Sequence, residues 1–344
     1  MTEDALPIGR PDAPRKARRP GTRSSLPKPA AAFAAGCLAV FCVLLAAAAP
    51  LTRVREAPAA LGRDEPITPV PAVPGGDDPR VALGEALFRS PILSHGQDRS
   101  CASCHDLSTN GASAAVRDRR PDGGLLERNT NTVFNAALSA RLNWLGNIER
   151  LDAHAESVLL RPDLMVSNWP EILTRLNGDA LLRRSFARAF GREADRDGVI
   201  EAIAAYERTL LTPNSRFDLW LQGESGALSG GELDGYRLFK AIGCVSCHQG
   251  VNIGANLFAR NGVFARLQAD ETRLMRVPSL RNVAATPPYF HDGSAATLEE
   301  AVQRMAKVQL GRELTTPQIG AITAFLRTLT GRFRGVPVRA PAPP

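Results

Sequence analysis

Through the middle of the chain, apolar residues recur at three- and four-residue spacing. The segments are VALGEALF (81–88), AHAESVLL (153–160), WPEILTRL (169–176), ALLRRSFARAF (180–190), VIEAIAAYERTLL (199–211), GELDGYRLF (231–239), TLEEAVQRM (297–305) and TPQIGAITAFLRTL (316–329). Each buries one face of a helix and leaves the other to solvent. Thr297 with Glu300 has the spacing of a capping box, and Thr316 before Pro317 suits a cap followed by the first helical position. Strand-type alternation is almost absent. The expected fold is mainly α with long loops.

The ends of the chain are patterned differently. Residues 1–29 are polar, basic and Pro-rich, which predicts a disordered leader. An uncharged apolar run, 30–51, follows. It is long enough for a bilayer, which takes roughly 20 such residues, and the basic flank before it predicts a cytoplasmic N-terminus and an exported body. The run reads as a signal anchor or as a cleaved signal peptide. Residues 52–79 end in PVPAVPGGDDP and read as an extended linker. Residues 332–344 read as an unstructured tail.

The remaining body repeats an order of features. ALF, SCASCH, RNTNTVFN, WLGN and LDAHAESV in the first half parallel RLF, GCVSCH, LRNVAATPPYF, HDG and LEEAVQRM in the second. Two tandem modules over 80–222 and 223–331 are the simplest account. The net charge of +7 over 344 residues is partly local to the leader. No basic-aromatic interleaving follows it, so nucleic acid is not an expected partner.

Of six cysteines, Cys37 and Cys42 lie in the apolar run, and none remains for a structural disulfide. The other four form two Cys-x-x-Cys-His motifs, Cys101–Cys104–His105 and Cys244–Cys247–His248. That pattern attaches c-type haem: two thiols add across the vinyl groups and the adjacent His ligates the iron. Zinc and dithiol redox chemistry are the alternatives. Both are disfavoured by a His directly after both motifs and by export of the body. Axial ligation then sets each iron's role. With Leu151 and Leu298 aligned as helix starts, the second half places Met305 where the first has Val158. Val158 cannot ligate iron. Met305 is a candidate ligand or a core methionine, with Met275 as its rival.

The body, from about residue 80 to 331, resembles the bacterial diheme cytochrome c peroxidase family, which includes the methylamine-utilisation diheme enzyme. The resemblance is carried by RVPSLRNVAATPPYFHDGSAATLEEAVQRMAKVQLG, AIAAYERTLLTPNSRFD and GCVSCHQG. It implies two covalent haems, with Met305 the axial ligand of the high-potential one. It implies a calcium ion held by the Asn129 side chain and the carbonyls of Thr286 and Pro288. It also implies that Trp144 stands between the haems in electron transfer, where the alternative is an ordinary packed Trp. The implied reaction is periplasmic reduction of hydrogen peroxide with electrons from a small soluble cytochrome c. Members are often homodimers.

The first half departs from the family pattern. The Gln and Glu of the peroxidatic side are matched by His154 and Leu164, and Leu cannot shuttle a proton. No His lies between Asp106 and Arg128, and RNxPT reads RNTNT. His154 is one turn before Val158 and so shares its side of the helix. It is a candidate distal acid/base, a sixth ligand, or a structural His. Glu156 should point elsewhere, and His95 and His291 are expected to pack or hydrogen-bond. Two further functions stay open: oxidation of a partner protein or small substrate, and membrane-tethered electron transfer without peroxide chemistry.

Overall fold

The structure is a computed structural model describing residues 63–267 and 273–342. The expected basic leader and apolar run lie outside the described residues. No helix among the described residues is long and apolar enough to cross a membrane.

Every segment with helical periodicity forms a helix. They are α1 (Pro79–Arg89), α2 (Leu151–Leu160), α3 (Trp169–Gly178), α4 (Ala180–Phe190), α5 (Arg196–Glu207), α7 (Gly230–Ala241), α8 (Leu298–Leu310) and α9 (Thr316–Arg327); a short α6 (Arg216–Leu221) lies between α5 and α7. Among the described residues strands form two short antiparallel pairs, β1 (Phe258–Arg260) with β2 (Leu274–Arg276), and β3 (Arg332–Phe333) with β4 (Val336–Pro337). Thr297 caps α8 by accepting from the Glu300 N–H. For α9 the cap is Thr315, one residue earlier than expected, in a reciprocal box with Gln318. Starting one residue earlier gives Gln318 the third helical position, the one that can reach back to the cap N–H.

Two helix crossings carry the repeat. α1 packs on α5, and α7 on α9. At each crossing a glycine lets the backbones touch. A Cβ on Gly84 would lie 1.9 Å from the Ala202 carbonyl oxygen, and one on Gly235 would lie 2.0 Å from that of Ala321. Each glycine is followed four residues later by a buried Phe, Phe88 or Phe239. The first-half core gathers Leu83, Leu87, Leu159, Ile172, Phe186 and Ile203. The second gathers Phe217, Tyr236, Phe239, Leu298, Ile322 and Phe325. α6 also packs in this second core, through Phe217, Trp220 and Leu221.

The two halves run in one unbroken register from Asn129/Arg276 to Leu160/Lys307. Asn135 and Asn282 share left-handed φ values of 60°, as do Gly146 and Gly293 at 61° and 69°. The bridges Leu142–Ile148 and Tyr289–Ala295 coincide. This corrects the alignment of the two Arg-Asn pairs: the counterpart of Asn282 is Asn135, not Asn129. Both amides donate to the Thr212 hydroxyl, at 2.9 and 2.7 Å. The trace of shared sequence had slipped because Arg-Asn recurs while the geometry does not.

Two segments expected to be loose are packed. In the Pro-rich linker Ile67 and Val70 are buried. Glu65 accepts from the Tyr236 hydroxyl at 2.7 Å and from Lys240 at 2.8 Å. The Thr68 carbonyl accepts from Arg281 at 2.8 Å, and Arg281 forms a buried ion pair with Asp218 at 2.7 Å. In the tail Phe333 packs tilted against Phe134 with centroids 4.8 Å apart, and Val338 is buried beside them. Neither segment has a period to read. Each is held by contacts with residues distant in sequence, so local pattern carries no sign of it.

Candidate haem-binding site

Each Cys-x-x-Cys-His motif starts on a 3₁₀ turn, Cys101–Ser103 or Cys244–Ser246. The His105 N–H donates to the Cys101 carbonyl and the His248 N–H to the Cys244 carbonyl, both at 3.0 Å. This closes each loop with its two thiols and imidazole on one side. The second ring contact is equally matched. Nδ1 of His105 lies 3.1 Å from the Gly111 carbonyl, and Nδ1 of His248 lies 3.1 Å from the Ile253 carbonyl. A carbonyl accepts only, so Nδ1 carries the proton and Nε2 is left as a free donor atom for a metal. Burial favours the neutral ring: it lowers His105 and pushes His248 down to about 4. Phe88 and Phe239 each stand 6.4 Å from the imidazole of their own half.

The four cysteines are free of disulfides. Burial pushes Cys101 and Cys244 up to about 12 and Cys104 up to about 11, so they are held as thiols. Dithiol exchange draws on thiolate. Among the described residues no group of three or more His, Cys, Asp or Glu could hold a metal ion. Both motifs open into one cavity of about 1290 Å³. That exceeds the ~300–1,000 Å³ of a pocket for one small ligand. Neutral thiols, imidazoles with Nε2 exposed and a large shared apolar void fit two covalently held haems.

The facing helices differ between the halves. Met305 on α8 is half-buried and lines the cavity. At the equivalent place α2 presents Val158, and where α8 has Ala301, α2 has His154. His154, Val158 and Leu164 all line the cavity. The His154 ring makes no hydrogen bond to the described residues. Burial, with smaller contributions from the charges of His105, Arg161 and Arg276, pushes it down to about 4. It is a neutral, unengaged base at ordinary pH. Met275 also lines the cavity, from β2. Glu156 turns away, bound to Arg196 and to the Trp169 indole N–H. His95 is outside the cavity, paired with Glu171 at 3.0 Å.

Where the halves meet, equivalent residues bond across. The Asn129 N–H donates to the His291 carbonyl at 2.7 Å, and the Arg276 N–H donates to the Trp144 carbonyl at 3.0 Å. The Trp144 indole N–H donates to the Asn129 carbonyl at 2.7 Å, and its ring meets that of His291 edge-on with centroids 6.1 Å apart. Trp144 and His291 are themselves repeat counterparts. The Asn129 amide nitrogen donates to the carbonyls of Ala115 and Val116 at 3.3 and 3.0 Å. Asn129, Thr286 and Pro288 line the same cavity as Trp144.

Two cavity-lining residues escape sequence reading. Glu207 sits buried at the end of α5, 8% exposed, with Oε2 unpartnered, and burial pushes it up to about 8. Arg276 is buried at the end of β2. Both fall in patterns where a charge looks like a solvated position.

A model described as di-haem cytochrome c peroxidase matches residues 78–226, and one described as cytochrome c matches 233–330. The chain is 36% identical to the cytochrome c551 peroxidase of Nitrosomonas europaea over 289 residues, covering 79% of this chain and 86% of that one. This chain belongs to the di-haem cytochrome c peroxidase family. Members of this oxidoreductase family carry two c-type haems, as the paired motifs require. The family is broad. The chain is also 31% identical to the methylamine utilization protein MauG of Methylorubrum extorquens, over 66% of this chain and 69% of that one. Among solved structures it is similar to a MauG-like protein associated with microbial copper homeostasis, with a TM-score of 0.67 at 27% identity, covering 76% of this chain and 93% of that one.

Proposed function

We propose that the protein reduces hydrogen peroxide at the first haem site with electrons received at the second from a small cytochrome c. The observation that carries this is the asymmetry of two helices in one register: Met305 stands where the first half has Val158, and Ala301 where it has His154. Bound haem would supply the one-electron chemistry and the iron that peroxide reaches. The residues supply the rest. Cys101 and Cys104 anchor one haem beside His105, and Cys244 and Cys247 the other beside His248. Met305 offers a thioether to the second site. Val158 offers nothing to the first and leaves room for substrate.

His154 is the proton-handling group of the first site. Held neutral, it accepts a proton at a ring nitrogen from an entering peroxide and returns it to the departing oxygen. Leu164, apolar and in the same cavity, keeps water away and takes no part in proton transfer. Trp144 would serve as the bridge between sites, a reading supported by its indole bond to one half and its carbonyl bond to the other. A calcium ion held by the Asn129 side-chain oxygen and the carbonyls of Thr286 and Pro288 would stiffen this junction. The periplasm is the proposed location.

The test is peroxide turnover with reduced cytochrome c by stopped flow. His154→Ala should lower kcat by a factor of about 10²–10⁴, the range for a general acid–base group, and His154→Gln should recover part of it. Unchanged turnover in both variants would dismiss His154. A first haem that turns from low spin to high spin in His154→Ala would instead make His154 a ligand and the protein an electron carrier.

A further inference from the structure

Arg276 is a buried charged side chain of the cavity that the proposed function leaves without a task. It is 7% exposed. Its Nε donates to the Asn143 carbonyl at 2.6 Å, and its backbone N–H to the Trp144 carbonyl at 3.0 Å. These two contacts fix the guanidinium at the junction of the halves. Arg276 lines the void, and its two terminal nitrogens make no hydrogen bond to the described residues.

No carboxylate among the described residues pairs with it. Burial alone moves it, down to about 10. Arg281, the other buried arginine lining the cavity, is balanced by Asp218. A buried guanidinium without a counter-charge is costly, and its planar fork matches a carboxylate. Its repeat counterpart is the neutral Asn129, so the charge belongs to one side of the junction only. Arg276 also lies close enough to His154 for its charge to bear on that ring. Both of its bonds reach the first half, at Asn143 and Trp144, which sets it on the first site's side of the junction.

We propose that Arg276, although part of the second half, binds a propionate carboxylate of the first haem. Binding would order that haem against the junction and place a positive charge where it disfavours the oxidised iron. The inference rests on the two-haem assignment. That assignment is checked separately by the mass of the purified protein, so the two can fail independently.

The experiment is optical potentiometry of both haems in the full chain at fixed pH and ionic strength. Arg276→Gln should lower the midpoint potential of the first haem by at least the 59 mV that a tenfold change in a one-electron equilibrium represents. The second haem should move less. Arg276→Lys should recover part of the shift, since it keeps the charge and loses the fork. Should Arg276→Gln not accumulate, Arg276→Lys and wild type are compared by infrared spectroscopy with ¹³C-carboxyl-labelled haem, and the labelled carboxylate band should differ between them. Unchanged potentials, or an unmoved band, would overturn the proposal. So would a wild-type potential that shifts on titration with acetate, because the guanidinium would then be open to free anions.

Discussion

Replacing Glu207 with Gln should change how stability depends on pH. The carboxyl sits at the cavity beside Cys101 with one oxygen unpartnered. Its neighbour Arg208 points outward to Glu201 at 3.1 Å and offers little compensation. Burial lifts Glu207 from 4.5 to about 8. The folded state thus holds this proton more tightly than the unfolded chain. The proton's contribution is fully present below pH ~4.5, falls as pH rises, and is gone above pH ~8. Each unit is worth about 1.4 kcal/mol, so the window spans at most about 4–5 kcal/mol. Glutamine keeps the shape and never ionises. Denaturant melts of the haem-loaded protein at pH 5, 6.5, 8 and 9, followed by circular dichroism, should therefore show the Glu207→Gln variant gaining on wild type as pH rises, by several kcal/mol. Parallel stability profiles across that range would refute the reasoning.

Three further outcomes are expected. Gly84→Ala and Gly235→Ala each drive a Cβ into a carbonyl at about 2 Å; each should cost upwards of about 3 kcal/mol in thermal unfolding, and a mild effect at either would show that its crossing can open. Asp218→Asn leaves Arg281 buried without its partner and should cost about 3–5 kcal/mol, with limited proteolysis now cutting within residues 63–73; an unchanged cleavage pattern would separate that strap from the ion pair. Met305→Ala should lower the second haem's potential by well over 60 mV and leave the first nearly unmoved, whereas an unaltered second potential would point to Met275.

Much of the fold is legible because helices announce themselves by period. All eight amphipathic segments form helices, and the paired motifs locate both haem sites without any structural information. The two crossings were also written in the chain, as Gly-x-x-x-Phe at 84–88 and 235–239, but a glycine inside a helical pattern ordinarily reads as a weakness. The strap at 63–73 and the hairpin after Gly331 were not legible. Their order comes from Arg281, Asp218, Phe134 and Thr212, which are far away in sequence. Register between halves also needed geometry, since the recurring Arg-Asn pair misleads and the left-handed Asn135 and Asn282 do not stand out. Arg276 and Glu207 are the sharpest omissions. A charge at the end of a three-residue strand, or on the last turn of a helix, looks solvated until its burial is known.

The central claim is that two equivalent helices make one haem site closed and the other open. Electron paramagnetic resonance of the haem-loaded full chain, reduced by one electron with calcium present, tests it most directly. The account predicts a high-spin ferric signal from the first haem, beside a second haem silenced by reduction. A purely low-spin signal would contradict it, and the first site would then be closed by a ligand such as His154.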